Sequence, residues 1–320
     1  MMLQFPKIIF TAFILLPLSL FSSDSHSDDS EPTQTIDETG TYKVLSSTSL
    51  NSDGVEGESA YHLIQEAFGF NSIEAPDLYG KVNHQGTPHI QEGSDTVVGN
   101  YFIFLIHRDL DKDRDKINKT DRQRNEIKVY GGSENALKGI KNTTFEYSWK
   151  FKLGDNLAVT KKFTHLFQLK AVGKGEINTP LLTITANTKN STPGLEIRHS
   201  DYQADGKKTS KHTLAHTGSM GISWESLRGK WIEAFVRANY SEHGRLYLTL
   251  KILGEDAPFI KIYQPDIEMW RAASSSGYSN FIRPKWGIYR SLIKANELNE
   301  QDEVDFADFK IQEVSPVVNN

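Results

Sequence analysis

Two short stretches of the sequence place polar side chains with useful chemistry at alternate positions. In "FQLKA", Gln168 and Lys170 share one face of an extended strand. In "IRPKWGIYR", Arg283, Lys285 and Tyr289 likewise share a face. A lysine can act as a base when desolvation or neighbouring cations lower its pKa, and a tyrosine can donate its phenolic proton. These side chains could therefore transfer protons, although each stretch alone could also be a solvated strand face.

A third stretch, "DRQRNEIKVY", concentrates positive charge on one face of a strand. Four charged residues alternate along it: Arg122, Arg124, Glu126 and Lys128. Guanidinium groups bind carboxylates and sulfates in a bidentate fork, so this face could hold an oxyanion. The same pattern is also typical of an exposed, salt-bridged face. Asn125 points to the opposite face, and Arg198 in "LEIRHS" is a further cation that could reach a ligand.

The residue types in these three stretches favour one kind of reaction. Glycoside hydrolysis needs two carboxylates, and free carboxylates are scarce here. Eliminative cleavage of a uronic-acid polysaccharide instead needs a cation or amide to neutralise the carboxylate. It also needs a base to take the C5 proton and an acid to protonate the departing O4. Glutamine, arginine, lysine and tyrosine can fill these roles, so the set favours elimination over hydrolysis.

Two other functions remain open at this point. The segment "EVDFAD" resembles the Glu-x-Asp-x-x-Glu signature of laminarinase-type hydrolases, with Glu303 and Asp305 on one face and Asp308 as the final acid. A non-catalytic glycan-binding module is the second alternative. Such a module would expose aromatic side chains in its groove without a base and acid pair.

The elements that must position these residues are predicted to be strands. In "TFEYSWKFKL" aromatic and polar residues alternate strictly, and similar runs recur between Gly, Asn, Asp and Ser turns. Residues 58–69 are the best helix candidate, and Glu242-His243-Gly244 is the predicted turn of a hairpin. The pattern predicts an all-β fold, a single jelly roll of the concanavalin A-like sandwich type. Its concave sheet would form the substrate groove.

The N-terminus is organised differently from the rest of the chain. Residues 1–23 combine a short cationic start with an apolar run, which is typical of a secretory signal peptide. Residues 24–40 are acidic and almost without large apolar side chains, which indicates a disordered linker. Residues 41–320 are predicted to be the jelly-roll domain. The sequence has no cysteine, so an exported protein of this size fits a bacterium, secreted or periplasmic.

The overall charge narrows the range of partners. The formal net charge is −5, so no global basic excess indicates nucleic-acid binding. We expect no membrane contact once the signal peptide is removed, and a monomer. A polyanionic partner would have to be bound by a local basic patch.

Together, "FQLKA", "PLLTI", "RGKW" and "PKWGIYR" resemble the jelly-roll polysaccharide lyases. The heparin lyase I and alginate lyase groups carry Gln-x-His on the first of these strands, whereas this sequence has Gln168 and then Lys170. A lysine there, with Tyr289, is similar to the ulvan lyases of polysaccharide lyase family 28, which use a Lys and Tyr pair. The resemblance covers most of the domain, from "NYFIFLIHRD" to "VDFADFKI".

The resemblance implies a role for each candidate residue. Lys170 would be the base and Tyr289 the acid, and Gln168 would neutralise the uronate. Arg124 would bind a second carboxylate or a sulfate, and Lys285 would line the groove and bind sulfate. The remaining substrate-binding candidates are Arg122, Asn125 and Arg198.

The substrate implied by the resemblance is an anionic, sulfated uronic-acid polysaccharide. Ulvan, which alternates sulfated rhamnose with glucuronic or iduronic acid, fits this description. Cleavage by β-elimination would leave 4,5-unsaturated uronate ends. A lyase acting on another polyuronate, such as glucuronan, a heparin-like chain or alginate, is the alternative.

No cofactor is expected for the chemistry itself, but the fold leaves room for a structural calcium ion. Jelly-roll glycan proteins often bind calcium through an aspartate of the last strand, here Asp308, with Glu74 as a candidate partner. The segment "DLDKDRD" also spaces acids two apart, as a calcium loop does. It lacks the glycine and the final glutamate of an EF-hand.

Overall fold

The computed structural model describes residues 40–80, 83–84, 86–175, 178–202, 209–272 and 277–317. The predicted signal peptide and almost all of the predicted linker lie outside the described residues. All the described residues belong to one compact unit. Among them, none of the helices has the length and apolar character needed to cross a membrane.

The described residues form two antiparallel sheets that pack face to face, which confirms the predicted all-β jelly-roll sandwich. The larger sheet contains β1 (Tyr42–Leu50), β3 (Ile90–Asp95), β4 (Gly99–His107), β6 (Thr144–Leu153), β11 (Trp231–Asn239), β12 (Gly244–Ile252), β13 (Ile260–Ile267) and β15 (Gln301–Pro316). Its strand order is β13-β12-β11-β6-β15-β4-β3, with β1 also paired to β15.

The second sheet has seven strands in the order β10-β9-β8-β7-β14-β5-β2. They are β2 (Ile73–Glu74), β5 (Arg122–Lys128), β7 (Thr164–Gly175), β8 (Leu182–Lys189), β9 (Thr192–Tyr202), β10 (Thr209–His216) and β14 (Gly277–Ser291). Short 3-10 helices lie at Pro76–Leu78, Asn135–Leu137, Gly218–Met220 and Ala295–Glu297. The three stretches singled out in the sequence are β7, β14 and β5, which are adjacent in this sheet.

Alternation along the strands produces the core between the sheets. The aromatic positions of β6 are buried and its polar positions are partly exposed, as the sequence predicts. Trp286 of β14 lies at the centre of this core with no exposed surface. Its ring packs edge-on against Trp149 of β6, with centroids 6.0 Å apart, and against Phe309 of β15 at 5.3 Å. Since Trp286 points inward, its neighbours Lys285 and Tyr289 project from the outer face of the seven-stranded sheet.

The single α-helix among the described residues, α1 (Ala60–Phe68), confirms the predicted helix. Ser59 caps its N-terminus by accepting a hydrogen bond from the His62 amide, and Gly69 follows its last residue. Phe68 is buried and stacks on Trp286, with ring centroids 5.9 Å apart. The helix therefore covers one end of the core.

A bulge at Gly287 sets the position of Tyr289. The pairing of β14 with β7 shifts register between Trp286 and Tyr289. Gly287 has φ +130°, and a Cβ there would lie 2.2 Å from the carbonyl oxygen of Asn125 on β5. Only glycine allows this close approach of the two backbones.

Candidate active site

A cavity of about 630 Å³ lies on the outer face of the seven-stranded sheet, where β5, β7 and β14 meet a loop that precedes β5. Seven cationic side chains and one carboxylate, that of Asp113, line it. The cations are Arg114, Lys116, Lys119, Arg122, Arg124, Lys170 and Arg283. Tyr289 also lines the cavity, so the structure brings the predicted base and acid to one site.

The environment of Lys170 suits a base. Its Nζ donates a hydrogen bond to the carbonyl oxygen of Asn178 at 2.8 Å. Burial lowers the pKa of Lys170 to about 7, and the nearby charges of Lys285, Arg124 and Arg283 act in the same direction. A large fraction of this amine is therefore neutral near pH 7 and able to accept a proton.

The environment of Tyr289 suits an acid. Burial raises the pKa of its hydroxyl above the usual value, although Arg124 and Arg122 oppose the shift. The Arg124 guanidinium lies over the ring, 3.6 Å from its centroid, and Arg122 Nη1 donates to the hydroxyl oxygen at 3.0 Å. The hydroxyl is thus protonated at neutral pH, and the two arginines hold it in place and stabilise the phenolate formed when it gives up its proton.

Arg124 is fixed by carboxylates on both sides. Its Nε donates to Asp113 at 2.8 Å, and Nη1 contacts Glu126. Arg122, the other predicted arginine of β5, pairs with Asp121 at 2.6 Å in addition to Tyr289. Both arginines line the cavity as the sequence predicts, and their contacts keep them rigid.

Lys285 does not line the cavity, which corrects the expectation that it faces the substrate. Only 3% of its surface is exposed. Its Nζ donates to Glu74 at 2.7 Å and to Glu126 at 2.6 Å. The reason is that β2 pairs with β5 and brings Glu74 next to Glu126, which surrounds the lysine with carboxylates.

Gln168 lies in the same buried network. It is 2% exposed, its amide nitrogen donates to Glu126, and it is absent from the residues that line the cavity. Direct neutralisation of a uronate by Gln168, as the resemblance implies, would require this contact to break. Its role toward substrate stays a prediction.

Two further binding candidates do not line the cavity. Asn125 is fully buried on the inner side of the sheet, where its amide donates to the carbonyl oxygens of His89 and Leu105. Arg198 on β9 pairs with Glu196 and is not among the cavity-lining residues. The structure thus separates Asn125 from Lys170 and Tyr289. Arg198 lies on the same outer face of the sheet as Gln168, two strands away, and its role toward substrate stays a prediction.

The predicted calcium ligands do not come together. Glu74 lies on the outer side of the seven-stranded sheet and Asp308 on the outer side of the other sheet, and packed sheets are about 10 Å apart. Glu74 contacts the four cations Lys285, Lys128, Arg114 and Arg124, which hold its pKa well below the usual range. Asp308 pairs with Lys150 at 2.5 Å. The two acids therefore do not fit a shared calcium ion.

The acids of the hydrolase alternative also lie on the larger sheet, away from the cavity. Asp305 pairs with Lys152 at 2.9 Å, and burial raises its pKa to about 6. Glu303 is exposed on the same strand, and Asp308 pairs with a lysine as described above. These three acids share no lining with the cationic cavity.

Arg283 lines the cavity, although the sequence alone assigns it no role. It pairs in register with Lys170 across β14 and β7. Its Nε is buried and has no hydrogen-bond partner among the described residues. The period-two pattern had placed Arg283 on the correct face, and its adjacency to Lys170 is the signal that could have identified it.

The loop before β5 supplies the other cations that the sequence did not single out, Arg114, Lys116 and Lys119. Arg114 pairs with Asp113 at 3.0 Å and Glu74 at 3.2 Å, whereas Lys116 and Lys119 are exposed. Asp113 of the acidic segment "DLDKDRD" thus binds arginines. This loop extends the positive surface beyond the sheet.

Comparison with known proteins gave structural matches only. No family model and no curated protein matched the chain. Among the similar solved structures are polysaccharide lyases. An endo-β-1,4-glucuronan lyase from the fungus Trichoderma reesei has 13% identity and a TM-score of 0.46, covering 76% of this chain and 94% of that one.

Two alginate lyases show the same degree of similarity. The exolytic PL7 enzyme from Zobellia galactanivorans has 12% identity and a TM-score of 0.49, covering 77% of this chain and 95% of that one. The PL-14 enzyme from Aplysia kurodai has 9% identity and a TM-score of 0.48, covering 84% and 98%. These values are too low to carry an argument about function, which must rest on the side chains of the cavity.

Proposed function

We propose that this protein is a polysaccharide lyase that cleaves a uronic-acid polysaccharide by β-elimination at the cationic cavity. One observation carries the proposal. A lysine with its pKa lowered to about 7 and a tyrosine with a raised pKa line the same cavity, surrounded by arginines. This combination provides a base, an acid and charge neutralisation without any carboxylate acting in the chemistry.

In the proposed reaction the neutral amine of Lys170 takes the C5 proton of the uronate. The electron pair forms the C4–C5 double bond, and the bond from C4 to the glycosidic oxygen breaks. Tyr289 gives its proton to the departing O4. Arg122 and Arg124 stabilise the resulting phenolate until it is reprotonated from solvent.

The C5 proton becomes acidic enough only when the neighbouring carboxylate is neutralised. Arg283 is the best candidate for this contact, because it lies beside Lys170 and has an unpartnered, buried Nε among the described residues. A guanidinium donates to both oxygens of a carboxylate and stabilises the enolate-like charge that develops on them. Gln168 could join only by leaving Glu126.

The excess of cations supports a sulfated substrate such as ulvan. Lys116 and Lys119 are exposed at the cavity. Among the described residues, the Nζ of neither lysine has a carboxylate oxygen within 4 Å. Two such cations beyond those near Lys170 could bind sulfate groups on sugars flanking the uronate. Glucuronan, heparin-like chains and alginate are the alternatives.

The experiment is a substrate panel with product analysis. The purified protein is incubated with ulvan, glucuronan, alginate and heparin, and the oligosaccharides are analysed by mass spectrometry. A lyase gives products that lack one water relative to hydrolysis products. Activity on alginate or heparin alone would contradict the ulvan assignment, and saturated products would support the hydrolase instead.

The same panel tests the binding-module alternative. The migration of a binding module would be retarded by ulvan in affinity electrophoresis, but the module would give no product of either mass. A Lys116→Gln, Lys119→Gln double variant tests sulfate recognition, since KM on ulvan should rise several-fold while KM on unsulfated glucuronan changes little. Equal effects on both substrates would contradict a sulfate contact.

Export of the protein is also part of this proposal. It rests on the sequence of residues 1–23, which lie outside the described residues. A polysaccharide chain is too large to enter the cytoplasm intact, so an enzyme that cleaves it must act outside the cytoplasm, either secreted or periplasmic. Mass spectrometry of the N-terminus of the exported protein would test it, since cleavage after the apolar run is expected.

A further inference from the structure

A group of three histidines and one aspartate lies beside the cavity, and the lyase reaction does not use it. Its members are His84, His89, His107 and Asp111, and one ligand atom from each lies within 4.8 Å of all the others. His89 and Asp111 have no exposed surface. The rings of all three histidines face one another edge to face, His84 lying 5.7 Å from His89 and 5.0 Å from His107 between centroids.

The distances within the group match those between ligands of one metal ion. His89 Nε2 lies 3.0 Å from Asp111 Oδ1 and 3.1 Å from His107 Nδ1, and His107 Nδ1 lies 3.2 Å from Asp111 Oδ2. Zinc–nitrogen bonds of about 2.0–2.1 Å put neighbouring ligand atoms of a tetrahedral site about 3.3 Å apart. His89 Nε2 and His107 Nδ1 are already close to this spacing from each other, and each is close to it from one oxygen of the Asp111 carboxylate.

His84 supplies an independent indication. Its Nδ1 is buried and has no hydrogen-bond partner among the described residues. A buried nitrogen left unpaired is costly, so such a group needs an explanation. Binding to a cation held by the other three side chains would satisfy it.

The residues around the group hold the ligands as they do in metal sites. His89 Nδ1, the nitrogen turned away from Asp111, lies 2.9 Å from the carbonyl oxygen of Thr87 and 3.1 Å from Asp77. Asp77 in turn accepts from the Tyr61 hydroxyl at 2.7 Å. A carboxylate behind a histidine ligand fixes its tautomer and presents Nε2 to the metal.

We propose that His84, His89, His107 and Asp111 bind a divalent transition-metal ion, most simply zinc, as a structural site. Three imidazoles and one carboxylate suit zinc, whereas calcium takes oxygen ligands only. Four protein donors complete a tetrahedron and leave no position for substrate. The site is separate from the calcium site expected at Glu74 and Asp308.

The position of the site gives the metal a role in the cavity. Asp111 is two residues before Asp113, whose carboxylate holds Arg124. Asn83, next to His84, accepts from the Lys112 amide at 2.6 Å and donates to the Arg114 carbonyl oxygen at 3.0 Å. A metal ion at this point would tie together the segment that follows β2 and the loop that carries Asp113, Arg114 and Lys116.

The test measures metal content, independently of any polysaccharide. Protein expressed with zinc in the medium is analysed by inductively coupled plasma mass spectrometry, and we expect about one zinc per chain. His107→Ala and His84→Ala should each lose most of it. His243→Ala is the matched control and should keep it, because His243 is an exposed histidine that pairs with Asp266 on the surface.

A second measurement protects the test against variants that fail to fold. Wild-type protein stripped with a chelator should regain several degrees of Tm when zinc sulfate is added, and none with calcium chloride. Cobalt added instead should give the visible spectrum of a tetrahedral site. Wild-type protein that neither contains nor takes up stoichiometric zinc would overturn the proposal, and so would full zinc retention by folded His107→Ala. Neither result would affect the lyase assignment.

Discussion

At the scale of single residues, the proposed role of Lys170 as the base predicts how activity should depend on pH. A base works in its deprotonated form, and burial with neighbouring cations lowers the pKa of this lysine to about 7. We expect kcat/KM to rise with pH through about 7 and to level off above it. The raised pKa of Tyr289 keeps the acid protonated, so activity should fall only at strongly alkaline pH.

The pH profile is measured from initial rates on the best substrate of the panel. The pH dependence of kcat/KM reports the pKa values of groups in the free enzyme, and the free enzyme is the state that the structure shows. A profile that is flat across neutral pH, or that rises only near the usual lysine pKa of about 10.4, would contradict Lys170 as the base.

Gly287 offers a prediction about stability. A side chain there would collide with the Asn125 carbonyl oxygen, and its φ of +130° is unfavourable for any other residue. We expect Gly287→Ala to lower the free energy of unfolding by about 3 kcal/mol or more. Gly131→Ala is the control, since no atom lies within 4 Å of the added Cβ and its change should be small. Urea unfolding of both variants measures this, and equal stabilities would refute the close-approach explanation.

At the scale of elements, the contact of β2, β5 and β14 creates the buried charge network around Lys285. Removing this cation takes away one of the two cations that Glu74 and Glu126 share and leaves only Arg124 between them among the described residues. We expect Lys285→Met to lower the free energy of unfolding by about 3–5 kcal/mol. It should also shift the acidic limb of the pH profile to higher pH, because the charge of Lys285 lowers the pKa of Lys170.

The control for this variant is Lys251→Met. Lys251 forms a partly exposed pair with Glu233 on the larger sheet, and surface pairs contribute about 1 kcal/mol or less. Thermal unfolding and the pH profile are compared for both variants. A rise in KM for Lys285→Met with unchanged stability would instead restore the expectation that Lys285 contacts substrate.

The sequence predicted which segments form strands better than it predicted which strands pair with one another. Strict alternation in β6 and the residue types of β7 and β14 identify strands and assign each side chain to a face. Alternation does not say which strands pair, and that decides burial. Lys285 is on the predicted face, yet the two-residue strand β2 covers it with Glu74, a contact between residues distant in sequence.

At the scale of the whole molecule, the sequence predicted the sandwich, which the structure confirms, and it predicted that Lys170 and Tyr289 lie in one groove, but it did not predict the other residues that line the cavity. Arg283 and the loop cations approach Lys170 only after the sheet and the loop are assembled. The histidine cluster shows the same difficulty, since His84 and His107 come from separate segments and no compact metal motif joins them. Spacing reveals sites formed within one element, whereas these sites form between elements.

The roles proposed for Lys170 as the base and Tyr289 as the acid are tested most directly by two variants, Lys170→Met and Tyr289→Phe. Both are compared with the wild type and with the control Tyr247→Phe. With ulvan as the substrate, the initial rate of increase in ultraviolet absorbance from the unsaturated uronate is measured. Circular dichroism checks that each variant is folded. Tyr247 lies on the larger sheet, so its variant should match the wild type. We expect Lys170→Met and Tyr289→Phe each to lose about 10²–10⁴-fold in rate with the fold intact. A folded variant of either residue with near wild-type rate would contradict the role proposed for that residue.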